Sequence, residues 1–431
     1  MDQTSRPRVA ITGLGPVSAL GVGREATWEG LRLAKTHPVW QEERIEGEVW
    51  GAFPVFTVSD DLWDATNGLA VPDFVDRAEL ASDRDLELLV RAATLAFADA
   101  GLAWDRHDNR IGMVVTHETP GVDRYIRVVY RTVFDLLAGR RAFPGLGPAA
   151  VARAVFDEHR SAVYAMQGFI ALHQLTRILG LHGFSTTVNN AAASGLFALE
   201  AGARQIREGS SVVLVVGGGS PRSLPKYLWF REMGLYADDG AVQPFDRHRH
   251  GFVFGEGAAA VVLENWDHAH RRGARIWAEY AGGGFTVDAW KLGVPDVRHG
   301  HYRRAITDAL AYARVRPHEI DLLIPHAVAT PIGDRHEAQS IREAFVTPPP
   351  ITALKPYVGH VLEGNALLEL ILGVLALDGD WVPPTLNFHE PDPRVGIRPV
   401  TEPQDRTLTT LVKMATGFGG YNAAVVLRQA S

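Results

Sequence analysis

Residues 186–209 read TTVNNAAASGLFALEAGARQIREG. Thr186–Asn190 has the composition of a strand, and it runs straight into a helix over Ala193–Gly209. That helix puts Leu196, Leu199, Ala203 and Ile206 on one face and Glu200, Arg204 and Arg207 on another. The joint, Asn190-Ala-Ala192-Ala-Ser194-Gly195, is made of small residues that let the chain turn sharply. A helix start there exposes free N–H groups that favour negative charge. This is the place for an elbow nucleophile, yet its central residue, Ala192, has no reactive group. Ser194 offers a hydroxyl, and it also suits the role of a helix cap.

The same grammar extends in both directions. Arg8–Thr12 predicts a buried strand closed by a turn at Gly13-Leu-Gly15-Pro16. Ile111–Val115, Val212–Val216 and Gly257–Leu263 predict further strands, and Asp85–Gly101, Arg124–Gly139 and Ser161–Gly180 predict helices. The second half repeats the pattern with strands at Arg275–Gly283, Leu322–Pro325, Leu408–Thr416 and Ala423–Leu427. Its helices fall at Gly300–Ala313 and Val361–Leu377. Strands alternating with helices imply an α/β protein with a mostly parallel sheet. The similar order in both halves suggests a duplicated unit.

The chain has 431 residues, 43 Lys+Arg against 50 Asp+Glu, and no cysteine. The net charge of −7 leaves no basic footprint for nucleic acid. Without cysteine there is no disulfide, no thiolate metal site and no thiol nucleophile. No apolar run reaches the roughly 18 residues that span a bilayer, and Met1–Arg8 has no apolar segment behind a basic start. A cytoplasmic protein with no membrane partner is expected.

Three motifs carry the chemistry. Pro325-His326-Ala-Val-Ala-Thr330 puts a histidine at a strand end before a turn. Lys355-Pro-Tyr-Val-Gly-His360 puts a lysine and a second histidine before a nearly all-apolar helix. Glu369, the only charge of that helix beyond its first turn, needs a buried partner, and Lys355 is the natural one. Two histidines at strand ends form a donor pair for a developing oxyanion. Gly417-Phe418-Gly419-Gly420 is a glycine turn whose aromatic is placed to gate a pocket. The His and Asp spacings around these motifs match no common metal pattern, so no metal is expected. Gly13-Leu-Gly15-Pro-Val-Ser18 only approximates a dinucleotide fingerprint, since Ser18 replaces the third glycine and Pro16 removes an N–H. A nucleotide-dependent oxidoreductase built on Gly13 and Gly15 is the reading from another class.

These blocks, with RVAITGLGPVSALG, SGLFALEAGARQIREG, PFDRHRHGFVFGEGAAAVVLE, TPIGD, LKPYVGH and GFGGYNAA in this order, resemble the β-ketoacyl synthases of fatty acid and polyketide synthesis. The resemblance covers nearly the whole chain. It implies a thiolase-like five-layered α/β/α/β/α fold of two halves, expected at 1–265 and 266–431, and a dimer. It implies acyl and malonyl substrates on the phosphopantetheine of an acyl carrier protein, with no other cofactor. The family uses a Cys-His-His triad. Its cysteine falls on Ala192, its histidines on His326 and His360, its lysine on Lys355 and the carboxylate partner on Glu369. The oxyanion amides fall on Ala192 and Phe418, with Phe418 at the gate, and Gly419, Ser194 and Thr330 lie among the substrate-contacting positions.

The sequence departs from the family in more than the cysteine. Asn190 replaces a threonine, Ala327 and Ala329 replace glycines, His248 and His250 replace acidic residues, and Thr416 replaces a phenylalanine. A change made only to trap a complex would leave those neighbours intact. The expectation is a Cys-less chain-length-factor type of subunit (KSβ) that pairs with a Cys-bearing ketosynthase. The alternatives are a β-ketoacyl synthase whose cysteine was replaced by Ala, or a malonyl decarboxylase or acyltransferase that needs no cysteine.

Overall fold

The structure is a computed structural model that describes residues 6–34, 36–45, 47–60, 83–117, 122–221 and 223–430. Among the described residues a ten-stranded sheet forms its backbone, nine of the strands in one continuous path: β1 Val9–Ser18, β2 Gly112–Thr116, β3 Ser185–Thr187, β4 Val212–Gly219, β5 Gly257–Asn265, β6 Ala278–Val287, β7 Leu322–Ile324, β8 Thr410–Gly417 and β9 Tyr421–Gln429. They lie in the order β7-β8-β9-β6-β1-β5-β4-β2-β3. In the first half β3, β2 and β4 run parallel, and β5 runs against both β4 and β1. In the second half β7 and β8 run parallel, and β9 runs against both β8 and β6. The halves meet where β1 pairs antiparallel with β6 at Val9 and Tyr280. An extended stretch at Ile351 bridges to Leu323 of β7, at the place β3 holds beside β2.

The sheet is therefore not mostly parallel, as strand–helix alternation implied. Each half carries one reversed strand inserted between parallel ones. Strand–helix alternation does not record that insertion: β9 returns from β8 through a tight hairpin, while β5 follows β4 after a long passage whose length fixes no direction. The β8–β9 hairpin turns on Gly419 and Gly420, both at positive φ.

Both faces of the sheet are covered. Alternate residues of β4 show it: Val213 and Val215 pack inward, while Leu214 and Val216 pack outward. The outer face of the first half packs against α1 (Arg84–Asp99) and α2 (Gly168–Leu179). Between the halves lie α3 (Ser194–Arg207) and α6 (Asn365–Asp378), whose Leu196, Leu199, Leu370 and Ile371 share one core with both halves of the sheet. The outer face of the second half packs against α4 (His301–Ala313) and α5 (Pro331–Ala344). Helix, sheet, helix, sheet, helix gives the five layers that the resemblance implied. Every residue of α6 from Asn365 to Leu377 is buried, as its composition required.

Two sequence expectations fail for physical reasons. Gly13 and Gly15 do not form a turn; they lie inside β1, with a bulge after Ile11. A Cβ on Gly13 would sit 2.1 Å from the Ala96 carbonyl oxygen, and one on Gly15 2.0 Å from that of Ala92. The glycines are there to let α1 press against the strand, not to receive a phosphate, and the dinucleotide reading falls. The helix expected over Ser161–Gly180 is two helices, Pro148–Ala165 and α2, broken where Gln167 turns extended before Gly168. Among the described residues no helix is long and apolar enough to cross a membrane.

Candidate active site

The elbow comes from the end of β3 and the start of α3. Ala191 adopts a left-handed conformation at φ 50. Its carbonyl accepts from Ser194 Oγ at 2.5 Å, and Ser194 Oγ in turn accepts from the Asn190 N–H at 2.7 Å. Ser194 is fully buried. Its hydroxyl is used up inside the elbow, which corrects the expectation that it faces a substrate. Ala192 stands half-buried at the bend. Two pieces of the second half press on this bend. A Cβ on Gly417 would lie 2.6 Å from the Asn190 carbonyl oxygen and 3.0 Å from the Ala192 nitrogen, and one on Gly195 would lie 2.7 Å from the Leu367 nitrogen. Gly417 thus brings the next residue, Phe418, beside the elbow.

The histidine pair is built on the second half. His326 follows β7, and its backbone N–H donates to Glu337 Oε1 at 2.7 Å. The Ala327 N–H donates to Glu337 Oε2 at 2.7 Å, and the Tyr302 hydroxyl to Glu337 Oε1 at 2.7 Å. Ala327 and Ala329 both sit at positive φ, 46 and 59. These are the positions where the resemblance implies glycine, and the backbone demands it.

His360 is held by a crossed pair of backbone bonds. Its N–H donates to the Val253 carbonyl at 2.8 Å, and the Gly255 N–H donates to its carbonyl at 3.0 Å. The Phe252 ring lies 4.9 Å away, at 73°. The two imidazoles stand 5.6 Å apart, at 76°, both almost completely buried.

Their tautomers follow from their neighbours. His360 Nδ1 accepts from the Leu362 N–H at 3.2 Å, so the ring proton is on Nε2. His326 Nδ1 lies 3.4 Å from Lys355 Nζ. An ammonium only donates, so Nδ1 accepts and Nε2 again carries the proton. Burial first, and then the positive charges of Lys355 and Lys413, hold both imidazoles well below their ordinary pKa. The result is two neutral rings, each with one free Nε2–H donor.

Glu369 sits beneath them. Its Oε1 accepts from Lys355 at 3.1 Å and its Oε2 from Lys413 at 2.5 Å, all three side chains being fully buried. Lys355 also donates to the His326 carbonyl, and Lys413 to the Pro325 carbonyl at 3.0 Å. Burial pushes the Glu369 carboxyl up, but the two lysines outweigh it and leave it below its ordinary value. Burial, partly offset by Glu369, lowers Lys413 to about 8. Sequence reasoning named the Lys355–Glu369 pair and missed Lys413. The signal was present: Lys413 is the one charge in the apolar run Leu411-Val-Lys-Met-Ala415.

The remaining expected residues frame the mouth. Phe418 is half-buried and packs at 5.8 Å on Phe230 and 6.1 Å, edge-on, on Trp229. Gly419, at φ 87, donates its N–H to the Leu292 carbonyl at 2.7 Å. Thr330 is buried before α5, where its carbonyl accepts from the Asp334 N–H at 3.1 Å and from Arg249 Nε at 3.4 Å. The two departures that follow Arg247 and Arg249 keep charged partners: His248 lies 3.0 Å from Glu390, and His250 2.9 Å from Asp239.

A half-buried elbow, a neutral histidine pair and a buried lysine–glutamate–lysine array at the centre of a duplicated five-layered fold define a condensing-enzyme class of architecture. The comparisons agree. Residues 6–269 match the Beta-ketoacyl synthase, N-terminal domain family, and residues 277–389 match the Beta-ketoacyl synthase, C-terminal domain family. The chain belongs to the beta-ketoacyl synthase family. It is 32% identical to the Streptomyces virginiae protein named "Putative polyketide beta-ketoacyl synthase 1", over 98% of each chain. It is 30% identical to 3-oxoacyl-(acyl-carrier-protein) synthase 1 of Escherichia coli K12, over 98% of this chain and 99% of that one. Among solved structures it resembles the ishigamide ketosynthase/chain length factor, with a TM-score of 0.82 and 28% identity, covering 99% of this chain and 100% of that chain.

Proposed function

We propose that this chain is a Cys-less ketosynthase subunit of polyketide or fatty acid biosynthesis, of the chain-length-factor type, that pairs with a Cys-bearing ketosynthase and receives acyl-carrier-protein thioesters. One observation carries the reading: Ala192 occupies the bend of a formed strand–helix elbow, while His326, His360, Lys355 and Glu369 are all retained. Without a thiol there is no acyl-enzyme, so condensation must use a partner's cysteine. The likeness to a ketosynthase/chain length factor structure supports pairing, and the halves are assigned to 1–265 and 266–431. The reading needs no cofactor beyond the carrier's phosphopantetheine. The test is co-expression with a Cys-bearing ketosynthase from the same gene neighbourhood. A stable heterodimer on size exclusion is the expected outcome, and two separate species would overturn it.

The retained histidines favour a second reading of the same site, residual malonyl decarboxylation. In this reading His326 and His360 offer their Nε2–H donors to one malonyl thioester carbonyl. As the C–C bond to the carboxylate breaks, its electron pair moves into the thioester and CO₂ leaves. The histidines stabilise the enolate oxygen, and a solvent proton on carbon completes the acetyl thioester. Slow CO₂ release from malonyl carrier protein, lost in His326→Ala and in His360→Ala, is expected. Release unchanged in both variants would remove this reading and leave the pairing role standing.

A further inference from the structure

Between β6 and α4 the chain reads Asp296-Val-Arg-His299-Gly-His301. One carboxylate oxygen and one nitrogen from each histidine lie within 4.8 Å of one another. Asp296 is buried, and its Oδ2 is 2.5 Å from His299 Nδ1 while Arg298 Nε donates to Oδ1 at 3.0 Å. His299 keeps 59% of its side chain exposed, so it is free to swing.

An independent feature lies beside this group. His336 of α5 is 5% exposed, and neither of its ring nitrogens has a hydrogen-bond partner. Asp288 and Asp296 both act on it electrostatically, and the Tyr302 ring lies 6.1 Å away. A buried imidazole with two idle nitrogens is costly.

We propose that Asp296, His299 and His301 bind one late first-row divalent cation of the zinc type. Two imidazoles and one carboxylate suit zinc, cobalt or nickel and not magnesium or calcium, which take oxygen ligands. Tetrahedral ligands at 2.0–2.1 Å stand roughly 3.4 Å apart, so a modest contraction of the group, led by His299, closes the site.

The location gives such a cation something to hold. The Asp296 N–H donates to Asp288 Oδ2 at 3.0 Å, and Asp288 in turn receives Asn422 Nδ2 at 2.7 Å and donates its N–H to the Gly420 carbonyl at 2.8 Å. On the other side, His301 precedes Tyr302, whose hydroxyl reaches the same Glu337 that orients His326. One ion would brace both the gate turn and the His326 turn.

The test is titration of the chelator-treated full chain with Zn²⁺ by calorimetry and thermal shift, with Co²⁺ absorption as a ligand-sensitive readout. Saturation at one equivalent and a raised Tm are expected, with no effect of Mg²⁺. His299→Ala and Asp296→Asn should each weaken binding by at least about tenfold and lose the Co²⁺ spectrum. Because His299→Ala also removes a hydrogen bond to Asp296, its Zn²⁺ response is read against the Tm of the same variant without metal. No saturable binding, or binding unchanged in both variants, overturns the site.

Discussion

Lys413 Nζ lies 2.5 Å from Glu369 Oε2, on the carboxylate whose other oxygen already takes Lys355. One buried anion therefore serves two buried cations, and the array keeps a net positive charge beneath His326. Glu369→Gln would leave both ammonium groups without a counter-charge. It should destabilise the fold by about 3–5 kcal/mol, read by chemical denaturation. Adding Lys413→Met should recover part of that loss. A Glu369→Gln chain as stable as the parent would mean that the lysines are neutral.

The histidines give a pH dependence of defined sign. Both have folded pKa values well below 6.5. Below about pH 6.5 the unfolded chain takes up protons that the folded chain refuses. Stability is therefore fully present above 6.5 and falls as pH drops, by about 1.4 kcal/mol per unit for each histidine. Asp334, which burial pushes up to about 7, acts in the opposite sense, so the comparison must be between variants. His326→Gln with His360→Gln should flatten the acid limb of the stability curve between pH 6.5 and 5. Parallel curves would show that the rings titrate normally.

Ala327 and Ala329 bear backbone strain. Each is a Cβ-bearing residue in the left-handed region, where the conformation costs roughly 1–2 kcal/mol. Glycine removes that cost but adds entropy to the unfolded chain. Ala327→Gly and Ala329→Gly should each stabilise by roughly 0.5–1 kcal/mol in thermal unfolding. Destabilisation by either would mean that the methyl group packs better than its torsion suffers.

The elbow makes a prediction about a residue it lacks. Position 192 stands just before the first turn of α3, whose free N–H groups favour a thiolate. Ala192→Cys should be alkylated by iodoacetamide faster at pH 7 than a free cysteine, and it should take an acyl group from carrier protein, seen by intact mass. A sluggish thiol would show that the neighbours, Asn190 among them, have lost the environment as well as the atom.

Much of this site was legible because its residues break local rules. Glu369 in an apolar helix asked for a partner, and His326 and His360 at element ends asked for a role. The Ala192 elbow was visible as a strand running into a helix through small residues. What stayed hidden depended on which elements meet. Lys413 went unread, because its role depends on β8 lying under α6. Gly13 and Gly15 looked like a loop because spacing does not reveal that α1 lies on them. The reversed strands β5 and β9 left no mark in strand–helix alternation. Asp296, His299 and His301 drew no notice, since the expectation of no metal ligand weighed only the surroundings of His326 and His360.

The elbow is clamped from outside itself. The Ser194 hydroxyl, the Gly417 backbone and the Leu367 backbone fix its bend, and they do so at backbone atoms of the elbow. Reactivity and shape are thus inherited separately in this architecture. A lineage is free to delete the warhead in a single step and still pass on an undistorted mould, ready for duty as a template rather than a catalyst.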